Sequence, residues 1–205
     1  MIHIGNQLYQ PHDQLNSGIV FALLLIIFVI MVIRRRSRNV SFIHLIILGV
    51  FFLYLGVLLS LTIFPINLFA PNSAVYQHGL GQQMVISVNI LDIFNWQKTQ
   101  IIGNLLLFMP LTFLTSLLNR PRDLTRKRIA TANRKSLYSG WYRAFHLSFL
   151  VSGSIELTQL VMSYFYLSNR VFDFADLILN TIGGLLGYLV FALVVKKIPS
   201  LATDL

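Results

Sequence analysis

The sequence predicts an all-α bundle of about five membrane-spanning helices, and three observations lead to this fold class. Hydrophobic residues make up 56% of the 205 residues and charged residues only 11%, whereas a soluble domain is about half apolar and about a quarter charged. The apolar residues lie in long runs rather than in helical stripes. Each run is close to the ~20 residues that a helix needs to cross ~30 Å of hydrocarbon.

Five apolar runs are interpreted as five spans of a single membrane domain over residues 1–205. The spans are 17–33, 42–64, 101–118, 144–166 and 177–195. A cleaved signal peptide needs a basic segment before its apolar core. The tail before the first span has no Lys or Arg, so this span is interpreted as a membrane helix and not as a cleaved signal. An outer loop is predicted over 65–100, in which 85–96 either lies in the membrane interface or dips in as a re-entrant piece.

The basic residues predict the orientation of these spans. With five spans, all of the 16 Lys and Arg residues except Lys98 and Arg170 fall on one side, mainly in a loop at 119–143. Cytoplasmic loops carry the excess of Lys and Arg, so the N-terminus is predicted outside and the C-terminus in the cytoplasm. The net charge of +9 then comes from basic residues that flank membrane spans and are attracted to anionic lipid. No nucleic-acid partner is expected.

Polar residues in the fourth span follow one helix face. Ser152, Glu156, Gln159 and Ser163 are spaced by four, three and four residues, which is the helical repeat. A carboxylate near the middle of a bilayer costs several kcal/mol unless it is paired, protonated or faces water. Glu156 is therefore the most informative residue of this face.

The fifth span, extended back by one or two turns, predicts a second polar face. Arg170, Asp173, Asp176 and Asn180 recur every three or four residues, followed by a glycine cluster at 183–187. Glycines spaced by four favour close packing on a neighbouring helix. Asn104 in the third span is expected to join this group, with Phe108, Thr112 and Thr115 on the same side.

Two interpretations of these polar residues remain open. Polar side chains in spans can act as interhelical hydrogen-bond glue worth about 1 kcal/mol each, which suits Asn104, Ser152 and Ser163. Ionisable groups in a membrane indicate function instead. Carboxylates could hold Mg²⁺ or Ca²⁺, but no histidine belongs to the cluster and the chain has no cysteine. We therefore predict a site with no metal and no cofactor.

Three stretches together carry a family resemblance: GNLLLFMPL at 103–111, SIELTQL at 154–160 and RVFDFADLILNTIGGLLGY at 170–188. They resemble the VanZ-like family over a core of about 45–195. The matching positions are Asn104, Pro110, Glu156, Gln159, Arg170, Asp173, Asp176, Asn180 and Gly184. Upstream of the third span the family often has a proline before a phenylalanine, where this sequence has Asp92 and Ile93.

The resemblance implies a multi-pass protein of the bacterial plasma membrane. It also implies a link to resistance against teicoplanin, a lipoglycopeptide that acts outside the cell. The oligomeric state does not follow from the sequence.

We predict that spans three to five enclose a polar pocket open to the outer leaflet, which recognises an amphiphile. That amphiphile is a membrane lipid, a lipid-linked envelope precursor or a lipoglycopeptide antibiotic. Arg170 would bind an anionic head group, Asp173 and Asp176 would orient it and attract cationic parts, and Glu156 and Gln159 would line the floor. The predicted binding residues are Asn104, Glu156, Gln159, Arg170, Asp173, Asp176 and Asn180.

An alternative is an integral-membrane enzyme that acts on a lipid-linked substrate. Glu156 or Asp173 would then be the general base, and Arg170 would stabilise developing negative charge. No nucleophile is recognisable in the sequence. A lipid flippase or transporter is a third alternative, less favoured because the sequence has no evident inverted repeat.

Overall fold

A computed structural model of the chain describes residues 2–4, 7–36, 41–95, 98–119 and 134–197. The described residues form five long helices, which confirms the all-α bundle. They are α1 Gly18–Arg36, α2 Phe42–Thr62, α3 Lys98–Leu118, α4 Arg134–Tyr164 and α5 Phe174–Lys197. Helix α4 begins ten residues before the predicted start at 144, so part of the predicted basic loop is helical. Residues 120–133 of that loop lie outside the described part of the chain.

Within the described residues, helices α2 to α5 are long and apolar enough to cross a membrane. Helix α1 has a shorter apolar part, Gly18–Arg34, and its 19 residues span about 28 Å at 1.5 Å per residue. It runs antiparallel to α2, because Phe21 packs against Gly56 and Phe28 against Gly49. The chain is therefore a membrane protein built on five helices, while the sidedness of its termini stays a prediction.

The core of the bundle lies where α2, α3 and α4 meet. Leu58, Phe108, Leu111 and Ile155 form one buried cluster there. Many other large apolar side chains remain exposed along the helices, for example Leu53, Leu106 and Leu150. Such a distribution is typical of helices that face lipid on one side and protein on the other, since lipid tails are as apolar as leucine.

Glycines set the contact between α3 and α5, as the spacing at 183–187 predicts. A Cβ on Gly183 would meet the carbonyl oxygen of Leu105, and one on Gly187 would meet that of Met109. Only hydrogen at these positions lets the two backbones touch. The two helices run parallel, so their N-terminal turns lie at the same end of the bundle.

A cap of loops and short strands covers this end of the bundle. We use this name for the described residues of 2–15, 63–95 and 165–173. Three two-stranded pairs lie in it: β1 Ile2–Ile4 with β2 Gln7–Tyr9, β3 Asp13–Leu15 with β4 Ile66–Leu68, and β5 Ile86–Ser87 with β6 Phe172–Asp173. Two 3-10 helices, Ala74–His78 and Ile90–Asn95, complete it.

Tyr166 is the centre of the cap. Its side chain is completely buried and packs with Ile2 and Val75. Its hydroxyl donates to the carbonyl oxygen of Gly79. The backbone of Tyr166, two residues after the end of α4, has a φ of 61°. This is a left-handed conformation, in which a bulky residue is uncommon.

The described residues of the segment 85–96 form two short elements, and its predicted interfacial or re-entrant position stays a prediction. Strand β5 pairs in parallel with β6, and Ile90–Asn95 is a single 3-10 helix of six residues. At ~2 Å per residue such a helix reaches only about 12 Å. Pairing with β6 ties this segment to the start of α5. Trp96 lies outside the described residues.

Candidate functional site

A partly open cavity of about 260 Å³ lies at the cap end of the bundle. Four helices and the segment before α5 contribute to its wall. Its lining residues are Leu61, Thr62, Gly103, Asn104, Leu107, Ile155, Glu156, Gln159, Arg170, Asp176 and Asn180. All the predicted binding residues except Asp173 are among them, so the structure brings together positions that are up to 76 residues apart in the chain.

The polar face of α4 is buried, as its spacing predicts. Ser152, Glu156, Gln159 and Ser163 are each at most 6% exposed. The Ser163 hydroxyl donates to the backbone carbonyl of Arg170, so this face anchors the segment that leads into α5. Glu156 and Gln159 contribute to the cavity wall.

Glu156 and Asp173 organise the start of α5. One oxygen of Glu156, Oε2, accepts the backbone N–H of Asp173 at 3.0 Å. The Asp173 carboxylate accepts the backbone N–H of Ala175 at 2.8 Å, which is the hydrogen bond of a helix N-cap. Asp173 therefore does not line the cavity itself but positions the start of α5, and its carboxylate accepts a hydrogen bond from that helix.

The predicted continuous helix face from Arg170 to Asn180 is wrong at its beginning. Asp173 ends β6, and α5 begins only at Phe174. An N-cap residue has non-helical backbone angles, and the pairing of β6 with β5 extends the chain before it. Asp176 and Asn180 lie on the helix, as predicted, whereas Arg170 reaches the cavity from an extended segment.

Arg170 and Gln159 both bind the end of α2. The Gln159 amide nitrogen donates to the Thr62 carbonyl at 2.7 Å, and Arg170 Nη2 donates to the Leu61 carbonyl at 2.9 Å. The last carbonyls of a helix have no partner within it, and a cation there is favourable. Burying such a helix end in a membrane protein requires donors of this kind.

This arrangement corrects the prediction that spans three to five enclose the pocket. The C-terminal turn of α2 forms a further wall through Leu61 and Thr62. The sequence signal for it is weak: Thr62 is a polar residue in the last turn before Pro65, and Pro commonly follows a helix end.

Asn104 and Asp176 join α3 to α5 at the mouth of the cavity. The Asn104 amide nitrogen donates to Asp176 Oδ1. Asp176 lies in the first turn of α5, where the helix dipole favours a negative charge. Next to it, Gly103 has no atom of the described residues within 4 Å of where a Cβ would stand, and it too lines the cavity.

Asn180 lies on α5 and contacts α4. It is 4% exposed, and its amide nitrogen donates to Ser152 Oγ at 3.0 Å. Among the described residues, no group donates to its amide oxygen. Buried polar atoms are usually satisfied, so this oxygen is an exception, and it is buried within the protein and not exposed to the cavity.

The architecture and this motif geometry agree with the sequence comparison. The family model described as VanZ/LLP1 matches residues 51–195, more than two thirds of the chain. The chain belongs to the VanZ/LLP1 family. No curated protein and no solved structure matches it.

The VanZ/LLP1 match covers the whole cavity wall and leaves α1 and strands β1 to β3 outside it. The part of the chain that carries the family pattern is therefore the part that builds the cavity. Helix α1 packs on α2 from outside this unit.

The described part of this VanZ/LLP1 protein shows no group of side chains arranged to bind a metal ion. No three His, Cys, Asp or Glu side chains among those residues are grouped so that they could hold a metal ion. The chemistry that the wall offers is hydrogen bonding and charge, from two carboxylates, one guanidinium and three amides.

Sequence reasoning missed Tyr54, which holds α2 against α3. Its hydroxyl donates to the Leu107 carbonyl at 2.8 Å, three residues before Pro110 within α3. The missing N–H of Pro110 frees the carbonyl of Leu106, so the Tyr54 bond to the Leu107 carbonyl is an additional bond between the two helices. A tyrosine in the middle of an apolar span was the available signal.

Proposed function

We propose that this VanZ/LLP1 membrane protein binds the polar head group of an amphiphile in the cavity between α2, α3, α4 and α5. The amphiphile is a membrane lipid or a lipid-linked envelope precursor. One observation carries the proposal: a cavity within apolar helices is lined by charged and amide side chains from several elements. Ionisable groups at such depth are costly, and by default they mark a functional site.

The size of the cavity supports a head group rather than a whole lipopeptide. The cavity volume of about 260 Å³ lies below the roughly 300–1,000 Å³ of pockets that hold drug-sized ligands. An acyl tail has no room inside and stays in the surrounding lipid. Leu61, Leu107 and Ile155 provide the apolar part of the wall.

Arg170 binds the anionic part of the ligand in this proposal. Its side chain is exposed at the mouth, and a guanidinium has five N–H donors, of which the Leu61 carbonyl uses one through Nη2. Glu156, Gln159 and Asn180 line the buried wall. Asn104 and Asp176 form the rim that fixes the ligand's orientation.

The cavity faces outward from the bacterial plasma membrane in this proposal. The basic residues that flank the helices, such as Arg143 and Lys196, lie towards the opposite end of the bundle from the cap, and Lys and Arg are enriched in cytoplasmic segments. The chain has no cysteine, so single cysteines report topology. Asn72→Cys should react with a membrane-impermeant maleimide in intact cells, and Lys196→Cys only after lysis; the reverse pattern would invert the orientation.

Family membership supports a contribution to lipoglycopeptide resistance. Expression in a susceptible bacterium should raise the inhibitory concentration of teicoplanin, and Glu156→Gln should reduce that protection. Thr158→Val is a matched control, because Thr158 is exposed two residues away and its hydroxyl bonds to the Ser154 carbonyl of its own helix. Full protection by Glu156→Gln would exclude a role for the cavity in resistance.

The decisive experiment is mass spectrometry of lipids that co-purify with the protein. Wild type should retain a defined amphiphile, and Arg170→Ala should lose it. Arg143→Ala, which removes another exposed arginine far from the cavity, should keep it. Equal lipid content in all three proteins would refute head-group binding. If the purified protein converted a labelled lipid-linked precursor, the protein would be an enzyme and not only a binding protein. Glu156 would then be the first candidate for the general base.

A further inference from the structure

The exposed residues of the cavity wall show on which side the cavity opens. Among the described residues that line it, Leu61, Gly103 and Arg170 are exposed, whereas Glu156 and Asn180 are buried. Helices α4 and α5 therefore form the back of the cavity. Its exposed edges come from the end of α2, the start of α3 and the segment before α5.

Hydrogen bonds join two pairs of these edges. Arg170 Nη2 donates to the Leu61 carbonyl at 2.9 Å, which ties the segment before α5 to the end of α2. The Asn104 amide nitrogen donates to Asp176, which ties the start of α3 to the start of α5. The edge between α2 and α3 is the third one.

Helices α2 and α3 are joined at a deeper level than the cavity edge. Tyr54 donates to the Leu107 carbonyl. Tyr54 lies seven residues before Leu61 in α2, and Leu107 four residues after Gly103 in α3, so this bond is about 10 Å and about 6 Å further from the cap along the two helices. At Gly103, no atom of the described residues lies within 4 Å of an added Cβ.

This edge of the cavity lies in the apolar part of α3. The first turn of α3, residues 98–100, is polar and exposed. Gly103 lies five residues after Lys98, about 7.5 Å further along the helix. Its neighbours Ile102 and Leu106 are 52% and 56% exposed, and such side chains suit the hydrocarbon layer. The edge therefore lies just below the level at which lipid head groups begin.

Exposed apolar side chains continue from this edge towards the middle of the membrane. On α2, Leu53, Val57 and Leu61 are exposed and follow one another at four-residue steps, so they share one helix face. On α3, Leu106 is exposed one turn after Gly103. Lipid tails are as apolar as leucine, so an acyl chain beside the edge finds matching surface on both helices.

We infer that the ligand enters the cavity sideways from the adjoining membrane leaflet, between Leu61 and Gly103, while its acyl chain stays outside along α2 and α3. The absence of a side chain at Gly103 keeps this side opening wide enough for a head group. The inference rests on the proposed head-group binding. It narrows the ligand to a lipid that the bilayer itself presents, and it assigns Gly103 as the residue that controls access.

A bulky side chain at Gly103 tests the side opening. In Gly103→Trp the indole overpacks the entrance, so the lipid retained per protein should fall on the order of tenfold. The free energy of unfolding should stay close to that of the wild type, since a Cβ there meets no described atom. Mass spectrometry of lipids that co-purify with the full-length protein measures the retained amount.

Gly18→Trp is the matched control. Gly18 is exposed, has no described atom within 4 Å of an added Cβ, and lies at the start of α1 outside the cavity wall. Gly18→Trp should keep the wild-type amount of lipid. If Gly103→Trp keeps it too while Arg170→Ala loses it, sideways entry is wrong and head-group binding stands. If neither Gly103→Trp nor Arg170→Ala changes the lipid content, both proposals are wrong.

A spin label at Gly103 reports the direction of the opening even if Gly103→Trp does not fold. The chain has no cysteine, so a nitroxide is attached to Gly103→Cys in the full-length protein, in vesicles of phosphatidylethanolamine and phosphatidylglycerol. Power saturation compares collisions with oxygen, which dissolves in hydrocarbon, and with a water-soluble nickel chelate.

Labels at two exposed positions provide the references for this measurement, Leu106→Cys on the apolar face of α3 and Asn72→Cys in the cap. The Gly103 label should resemble the one at Leu106, with oxygen more accessible than the nickel chelate. A Gly103 label that resembles the one at Asn72 would show that the opening faces water, and would overturn sideways entry.

Discussion

Helices α3 and α5 meet in two different ways along their length. Near the middle of the bundle, Gly183 and Gly187 bring the backbones into contact at the Leu105 and Met109 carbonyls. At the cap end the same helices are joined through the side chains of Asn104 and Asp176, beside the cavity.

The difference shows how a membrane protein can keep polar groups for a ligand. In lipid, helix association depends on close van der Waals packing and on interhelical hydrogen bonds. Glycines supply the close packing near the middle of the bundle. The polar residues at the cap end are therefore not all needed to hold α3 and α5 together by hydrogen bonds. Variants along α3 and α5 and at neighbouring contacts should therefore separate packing from binding.

The largest effect is expected where the backbones touch. Gly187→Ala places a Cβ against the Met109 carbonyl and Thr112 Oγ1, and overpacking of this kind should lower the free energy of unfolding by about 3 kcal/mol. Gly153→Ala is the matched control, since its Cβ would meet Leu177 at an ordinary 3.9 Å. Unfolding in SDS, followed by circular dichroism, measures both.

The control should be neutral or slightly more stable, because alanine is favoured over glycine in a helix by about 0.5–1 kcal/mol. Equal stability of Gly187→Ala and Gly153→Ala would show that the glycine contact does not set the spacing of α3 and α5.

The next largest effect is expected at the rim. Asn104→Leu removes the donor to the Asp176 carboxylate, and a hydrogen bond to a charged group is worth about 2 kcal/mol. Gln100→Leu, one turn earlier in α3 and exposed, should change little. The free energy of unfolding is measured for both, and a loss shared by the two would assign the effect to the surface of α3 instead of the rim.

A smaller effect is expected at the end of α2. Gln159→Leu leaves the Thr62 carbonyl without the donor at 2.7 Å, which should lower stability by about 1 kcal/mol, as for other interhelical hydrogen bonds in membranes. Lipid retention should fall as well, because this wall of the cavity loosens. Thr158→Val should leave stability and lipid content unchanged; a wild-type melting curve for Gln159→Leu would contradict this role.

The smallest effect is expected at Tyr54. Tyr54→Phe keeps the ring and removes the donor to the Leu107 carbonyl, for a loss of about 0.6 kcal/mol. Tyr142→Phe, at a residue 66% exposed, is the control. Lipid binding should survive in both, since neither residue lines the cavity. If Tyr54→Phe weakened lipid binding while leaving the free energy of unfolding nearly unchanged, the contact between α2 and α3 would contribute to ligand binding.

Several features could be predicted from the sequence because they are local. Glu156 and Gln159 share a buried face of α4 since residues four and three apart overlap on any helix. Likewise, Gly183 and Gly187 favour close packing wherever their helix finds a neighbour. Lipid strengthens such predictions, because a chain in hydrocarbon must satisfy its backbone internally and therefore forms helices.

Other features depended on which elements become neighbours. The helical extension through Arg170 and Asp173 was wrong because β6 pairs with β5, a partner 86 residues away in the chain, and because the Asp173 side chain caps α5. Spacing alone could not distinguish a helix face from a cap followed by a helix.

The sequence by itself determined that this is a helical membrane protein of the VanZ/LLP1 pattern and which polar residues lie inside it. Only the tertiary structure decided that the end of α2 lines the cavity and that no described residue donates to the Asn180 amide oxygen. The physical reason is that a hydrogen bond needs two partners in register. Periodicity gives the direction of one side chain, and the packing of the helices gives the atom that it meets.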